Sequence, residues 1–229
     1  MNIKKNKDVD LLTLLDCGGV LFKNNPNPKE VYANIMKLYS GKDIEEMAKY
    51  FNLEDELVQI KTSELYRSKP PKVAPYLAGE LMIDKLLENG EIDKQTLISA
   101  RIDAVRKRED QIISSLIKEY PSIKFAIATQ DGQLIHDVLN HYFPELEEKY
   151  QVVTTDSDIN AYKTSPDFYY NTEKRLYVPT TKMMLVDDSK ANIQGIEKAG
   201  GVGTLFDPDD SSQSLEDTVK DTIEHIRRM

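Results

Sequence analysis

Two short apolar runs in this chain each end in acidic residues, and this pattern constrains the fold more than any other feature. Residues 11–15 (Leu-Leu-Thr-Leu-Leu) are followed by Asp16, and residues 183–186 (Met-Met-Leu-Val) are followed by Asp187 and Asp188. Short, nearly continuous apolar runs are typical of parallel strands that are covered on both faces. Ligands of such sheets bind at the carboxyl ends of the strands. If the two strands are neighbours, their carboxylates converge on one place, where a cation would stabilise them.

The remaining chain falls into an alternating part and a purely helical part. Further strands, separated by helical periodicity, are predicted at residues 125–128, 151–153 and 202–206. Between residues 26 and 106 the periodicity is helical throughout, which predicts four or five helices and no strand. We therefore predict an α/β fold, in which residues 1–25 and 107–229 form a three-layer, Rossmann-like parallel sheet with its helices. Residues 26–106 are predicted to form a small, inserted, all-helical cap domain that acts as a lid over the strand ends.

Composition argues against several classes of partner. The 229 residues carry a formal net charge of −9, and a negative field disfavours non-specific binding to nucleic acids and to anionic membranes. No apolar stretch approaches the ~20 residues of a membrane helix, and the N-terminal residues do not resemble a signal peptide. A single cysteine fits a reducing compartment. We expect a cytoplasmic protein with a small-molecule partner and without a nucleic-acid or membrane partner. A protein exported by a signal-independent route would show the same features, and the sequence does not predict the oligomeric state.

Polar side chains at the predicted strand ends have complementary chemistry. An aspartate such as Asp16 can attack phosphorus in line and form an aspartyl-phosphate. A cation bound by Asp16, by Asp188 and by a backbone carbonyl would neutralise the charge of the transferring group. Oxygen ligands of this kind favour Mg²⁺ over zinc. The Thr129 hydroxyl can donate to a phosphoryl oxygen, and the Lys163 ammonium suits the same dianion.

Each of these residues also has a simpler interpretation when it is considered alone. An aspartate after a strand is usually a turn or helix-capping residue, and the segment from Asp187 to Ser189 can simply cap a helix. Thr129 can likewise be a cap, and Lys163 can be a solvated surface charge. The order and spacing of all of them together favour a functional site.

Four segments of the sequence resemble the four motifs of the haloacid dehalogenase-like (HAD) hydrolase superfamily. The first is Leu-Leu-Asp-Cys-Gly-Gly-Val-Leu at residues 14–21, and the second is Ala-Ile-Ala-Thr at residues 126–129. The third is Tyr-Lys-Thr-Ser-Pro-Asp-Phe-Tyr at residues 162–169. The fourth, Leu-Val-Asp-Asp-Ser-Lys-Ala-Asn-Ile-Gln-Gly at residues 185–195, is the most specific match. The helical insertion is similar to the small cap of subclass I.

The resemblance implies a Mg²⁺-dependent phosphatase that acts on a small phosphorylated substrate. It implies that Asp16 is the nucleophile, assisted by Thr129 and Lys163. The expected metal ligands are Asp16, the Gly18 carbonyl, Asp187 and Asp188. The expected substrate-binding residues are Thr129, Gln130, Lys163 and Gly19.

The chain departs from the first motif at Gly18, because the family usually has a second aspartate two residues after the nucleophile. In the family that aspartate protonates the leaving group and then activates water, a contribution of ~10²–10⁴-fold for a general acid–base group. One hypothesis is a phosphatase for substrates whose leaving group needs little protonation, such as acyl, aryl or sugar 1-phosphates. The chain resembles a subgroup with Asp-x-Gly-Gly or Asp-x-Gly-Asn at this motif, which includes sugar-1-phosphatase-like proteins. The alternative is an impaired protein that binds or senses a phosphorylated ligand. Haloacid dehalogenases proper also lack the second aspartate, but they need no metal, and the Asp187–Asp188 pair argues against that activity.

Overall fold

The computed structural model describes the residues that form the sheet, its helices and parts of the insertion. The described residues are 9–23, 44–50, 52, 54–55, 85–105, 107–109, 111–129, 135–144, 152–154 and 159–228. The chain divides into two compact units, residues 1–24 with 106–229, and residues 25–105. The predicted domain boundaries stay a prediction, because the second unit is described only in part.

The first unit contains a five-stranded parallel sheet. Its strands are β1 (Leu11–Leu15), β2 (Ile123–Thr129), β3 (Val152–Thr154), β4 (Met183–Asp187) and β5 (Val202–Leu205). They lie in the order β3-β2-β1-β4-β5, and all neighbouring strands are parallel. The prediction of an α/β fold with a parallel sheet is thus confirmed. The predicted first strand matches β1, and the ends of the other predicted strands lie within two residues of the observed ones.

Buried residues along β1 and β4 show why these two strands lie in the middle of the sheet. Every residue of both strands is buried, as expected when helices cover both faces of a parallel sheet. The register places Leu12 beside Met183 and Leu15 beside Val186. The two strands are neighbours, so the condition for their carboxylates to converge is met.

Helices of the first unit follow the strands. They are α3 (Ile112–Glu119), α4 (Ile135–Tyr142), α5 (Pro166–Leu176), α6 (Lys190–Lys198) and α7 (Leu215–Arg228). Ser165 begins α5, since its side chain accepts a hydrogen bond from the Asp167 amide and Pro166 occupies the first turn. This start sets the chain direction just after Lys163.

The insertion is described in pieces. Two of its helices are described from end to end, α1 (Ile44–Tyr50) and α2 (Lys94–Ala104). The described residues of this unit contain no strand. The Asp93 side chain caps α2 by accepting a hydrogen bond from the Thr96 amide at 2.8 Å. The predicted number of four or five helices depends largely on residues outside the described ones. Among the helices given above, none combines the length and apolar character that crossing a bilayer requires.

Candidate active site

The strand order of the sheet reverses at β1 and β4, and this reversal forms a crevice at the carboxyl ends of these two strands. From β1 the chain continues to β2 and then β3 on one side, whereas β4 and β5 lie on the other side. Such a reversal of strand order is where parallel sheets bind ligands. Asp16 follows β1 at this point, and its amide donates to the Val186 carbonyl of β4 at 3.0 Å. The nucleophile predicted from the sequence is thus held by backbone pairing between the two central strands.

Three carboxyl groups meet at this position. Asp16, Asp187 and Asp188 each place one oxygen within 4.8 Å of the others. Asp16 and Asp187 are buried, and Asp188 is exposed at the rim. Oδ2 of Asp188 faces Gly19 so closely that a Cβ atom built on this glycine would lie 2.1 Å from it.

Lys163 lies between two of these carboxylates. Its side chain is only 2% exposed, and its ammonium donates to Asp16 Oδ1 and, at 2.8 Å, to Asp187 Oδ2. A third hydrogen bond goes to the Ala128 carbonyl of β2 at 3.1 Å. The ammonium therefore connects β1, β2 and β4, and the interpretation of Lys163 as a solvated surface charge is wrong.

Asp187 is the most completely hydrogen-bonded acid of the group. Its Oδ1 accepts from the Ser189 amide at 2.8 Å and from Asn192 Nδ2 at 2.9 Å. Its Oδ2 accepts from Asn192 Nδ2 at 3.1 Å in addition to Lys163. Protein donors therefore engage both oxygens, and Asp187 orients Lys163 while it adds negative charge to the site.

Charge is unevenly distributed in this cluster. Burial, together with the charges of Asp187 and Asp188, raises the pKa of Asp16 above its ordinary value, and Lys163 opposes the shift. Partial burial and the charge of Asp187 raise the pKa of Asp188 to about 6. Burial lowers the pKa of Lys163, but the carboxylates of Asp16 and Asp187 raise it by a larger amount. The side chain therefore stays protonated. Carboxyl groups are thus in excess, and an all-oxygen donor set of this kind fits a hard divalent cation such as Mg²⁺.

A second layer of residues positions Lys163. The Tyr169 hydroxyl lies 2.9 Å from the Lys163 carbonyl and 3.1 Å from the Asn192 carbonyl, so it joins the start of α5 to α6. Gly195 lets α6 approach, because a Cβ atom there would lie 2.2 Å from the Lys163 carbonyl oxygen. No role was predicted for Tyr169, Asn192 or Gly195, although all three lie within the segments that resemble motifs.

The other predicted site residues lie at the same edge of the sheet or outside the described residues. Thr129 is buried at the end of β2, one residue after the carbonyl that Lys163 contacts. Gly18 and Gly19 lie in the turn after Asp16, where Gly19 has a φ of 76°. Gln130 lies outside the described residues. The structure therefore brings Asp16, Lys163, Asp187 and Asp188 together.

Comparison with protein families gives the same assignment as the motifs. The family model described as haloacid dehalogenase-like hydrolase matches residues 12–200, which is most of the chain. The chain belongs to the haloacid dehalogenase-like hydrolase family. Its four motif segments lie within the matched residues. A comparison with curated proteins found no sequence match.

Solved structures share this fold at low sequence identity. A HAD-like family hydrolase from Porphyromonas gingivalis is 15% identical, with 96% of this chain and 99% of that chain covered and a TM-score of 0.58. A HAD family enzyme from Bacteroides thetaiotaomicron, in complex with magnesium and inorganic phosphate, is 15% identical, with 88% and 97% covered and a TM-score of 0.56. A HAD hydrolase of family IA, variant 3, from Entamoeba histolytica is 18% identical, with 88% and 86% covered and a TM-score of 0.54. At these identities the likeness shows the fold.

Proposed function

We propose that this HAD hydrolase is a Mg²⁺-dependent phosphatase that acts on a small phosphorylated metabolite through an aspartyl-phosphate at Asp16. The observation that carries the proposal is the cluster in which Lys163 bridges Asp16 and Asp187 while Asp188 lies at the rim. The magnesium and phosphate bound to the similar enzyme from Bacteroides thetaiotaomicron support it.

In this proposal Asp16, Asp188 and the Gly18 carbonyl would hold the metal ion, and the expectation that Asp187 is also a ligand is not kept. Asp187 completes the charge of the site and holds Lys163, since protein donors already engage both of its oxygens. Bound Mg²⁺ would neutralise the carboxylates and the phosphoryl oxygens.

The phosphoryl group is bound by donors that surround Asp16. The three hydrogens of the Lys163 ammonium already bind Asp16, Asp187 and the Ala128 carbonyl, so Lys163 contributes its positive charge. The Thr129 hydroxyl, Gly19 and Gln130 complete the proposed set. A carboxylate oxygen of Asp16 forms the new bond to phosphorus while the bond to the leaving oxygen breaks. Water then attacks the aspartyl-phosphate, which releases inorganic phosphate and restores Asp16.

Gly18 determines which leaving groups this site can handle. A glycine offers no proton to the departing oxygen, so the bond to phosphorus must break without a general acid at this position. Leaving groups that need little protonation, such as those of acyl, aryl or sugar 1-phosphates, are therefore the proposed substrates.

The test is a panel of phosphate esters ordered by the pKa of the leaving group, assayed with and without Mg²⁺. We expect the wild-type rate to fall steeply as that pKa rises, and Gly18→Asp to raise the rate for poor leaving groups by up to ~10²–10⁴-fold. Asp16→Asn is the control and should reduce all rates by at least about 10³-fold. Rapid hydrolysis that is independent of the leaving group contradicts the leaving-group proposal, and hydrolysis that is independent of Mg²⁺ contradicts the metal-dependent mechanism.

A second candidate function is a protein that traps or senses a phosphorylated ligand. Gly18 favours this function as well. In the family, the aspartate at this position is also the base that activates water against the aspartyl-phosphate, and a glycine cannot act as that base. Intact-mass spectrometry after mixing with an aryl phosphate and Mg²⁺ separates the two. A persistent phosphoryl adduct on the wild-type protein, absent in Asp16→Asn, indicates a trap, whereas steady release of phosphate without an adduct indicates a phosphatase.

A further inference from the structure

The turn after Asp16 has few means of holding its own shape. It contains two consecutive glycines, Gly18 and Gly19, and glycine loses more conformational freedom on folding than any other residue. Within the turn, the Leu21 amide donates to the Asp16 carbonyl at 3.3 Å and the Phe22 amide donates to the Cys17 carbonyl at 2.9 Å. These bonds close the turn, but they leave the carbonyls of Gly19 and Val20 to other donors.

Arg108 supplies those donors from a distant part of the sequence. Its Nη2 donates to the Gly19 carbonyl at 2.7 Å, and its Nε donates to the Val20 carbonyl at 2.9 Å. Its backbone amide donates to the Leu21 carbonyl at 2.9 Å. Three successive carbonyls of the turn are therefore bound by one residue that lies 88 positions beyond Val20.

The guanidinium of Arg108 is itself fixed from the other side. It lies 4.8 Å from the centre of the Phe206 ring, and its Nη1 donates to the Pro208 carbonyl at 3.4 Å. The Phe206 amide donates to the Asp187 carbonyl at 3.0 Å, so the ring is anchored at the end of β4. Arg108 thus joins the turn after β1 to the segment after β5, beside the acidic cluster.

We propose that Arg108 is a positioning residue that fixes the turn containing Gly18 and Gly19, and thereby aligns the Gly18 carbonyl and Asp188. A planar guanidinium can bind two neighbouring carbonyls at once and stack on a ring, which a lysine ammonium cannot do. The full positive charge of the guanidinium also interacts favourably with the Asp188 carboxylate. The catalytic consequence rests on the proposed phosphatase function, whereas the conformational role of Arg108 does not.

Hydrogen exchange of the full-length protein tests the conformational role without reference to any substrate. In Arg108→Met we expect amide exchange in residues 17–22 to be about 10- to 100-fold faster, because two side-chain hydrogen bonds are lost. Exchange in β4 serves as the internal reference for global unfolding and should change less. The matched control is Arg227→Met, since Arg227 also stacks on a ring, that of Tyr120 at 5.2 Å, but donates to Glu224 rather than to this turn.

Outcomes of this comparison decide the proposal. Equal exchange in Arg108→Met and the wild type, or an equal rise in Arg227→Met, overturns it. Arg108→Lys keeps the charge but lacks the forked guanidinium. We expect the amides of residues 17–22 to exchange faster in this variant than in the wild type. Exchange at the wild-type rate would overturn the role of the guanidinium. This second variant also decides the question if Arg108→Met does not fold.

Steady-state kinetics with an aryl phosphate and Mg²⁺ test the catalytic consequence. We expect kcat to fall about tenfold or more in Arg108→Met with KM nearly unchanged, because Arg108 aligns the reacting groups without touching substrate. A kcat equal to that of the wild type, in a variant with accelerated exchange, overturns the catalytic part. If the wild-type protein hydrolyses no phosphate ester, the proposed phosphatase function fails, and the exchange measurement still decides whether Arg108 holds the turn.

Discussion

The ends of β4 and β1 carry the acidic residues of the site, but they are stabilised in different ways. At the end of β4, Asp187 accepts hydrogen bonds from Ser189 and Asn192, which follow it within five positions. At the end of β1, the Asp16 side chain is bound by Lys163, which lies 147 positions later. The turn after Asp16 is bound by Arg108. Within the turn itself, backbone hydrogen bonds stabilise its conformation.

Half of the site is therefore built mainly from local residues, and the other half is assembled from distant parts of the chain. The segment and helix that follow β4 supply three of the four side-chain hydrogen bonds of Asp187 described above, and the fourth comes from Lys163. A turn with two glycines cannot arrange Asp16 and the Gly18 carbonyl alone, since it lacks the side chains that would anchor it. Lys163 is the residue that connects the two halves.

Removing that connection has the largest expected effect on stability. In Lys163→Met two buried carboxylates lose their ammonium, and we expect a loss of about 3–5 kcal/mol in the free energy of unfolding. Urea denaturation at neutral pH without Mg²⁺ measures this loss.

Lys220→Met is the matched control for that substitution. Lys220 also bridges two carboxylates, Glu119 at 2.7 Å and Glu216 at 2.8 Å, but on the surface. We expect a much smaller loss there, because exposed ion pairs contribute little. Similar losses in the two variants would contradict a special role of the buried bridge.

Magnesium should stabilise the protein by an intermediate amount. A ligand that binds only the folded state at 100 times its Kd adds about 2.7 kcal/mol, so thermal unfolding should shift upward as Mg²⁺ is added. We expect the shift to be largely lost in Asp188→Asn and retained in Asp217→Asn, which changes an exposed acid on α7. An equal shift in both variants would place the metal ion elsewhere.

The smallest expected effects come from adding one methyl group to each half of the site. In Gly195→Ala the new Cβ meets the Lys163 backbone oxygen at 2.2 Å, so we expect a loss of about 1–3 kcal/mol in stability. In Gly19→Ala the new Cβ meets the Asp188 carboxyl, so we expect Mg²⁺ affinity to fall about tenfold or more. Denaturation and calorimetry, respectively, measure the two effects.

Gly90→Ala separates backbone strain from this contact. Gly90 has a φ of 69°, close to the 76° of Gly19, but nothing lies within 4 Å of a Cβ atom built there. It therefore reports the cost of a left-handed conformation alone. If Gly19→Ala and Gly90→Ala leave Mg²⁺ affinity equally unchanged, Gly19 is not needed for the position of Asp188.

The sequence predicted the parallel sheet and the acids at the carboxyl ends of β1 and β4, but not that these two strands are neighbours. Apolar runs report burial on both faces, and the acids that end them report the edge of the sheet, since both are local properties of the chain. The motif segments also allowed Asp16, Lys163, Asp187 and Asp188 to be selected before their contacts were known.

The pairing of these charges depends on the three-dimensional fold and was not predicted from the sequence. Local periodicity does not state which distant donor satisfies a buried carboxylate, because that depends on how the strands and loops close in space. The burial of Lys163, the two hydrogen bonds from Asn192 to Asp187 and the contacts of Tyr169 are therefore visible only in the structure. Arg108 lies just after the insertion without any motif around it, and only its three-dimensional contacts show that it binds the glycine turn.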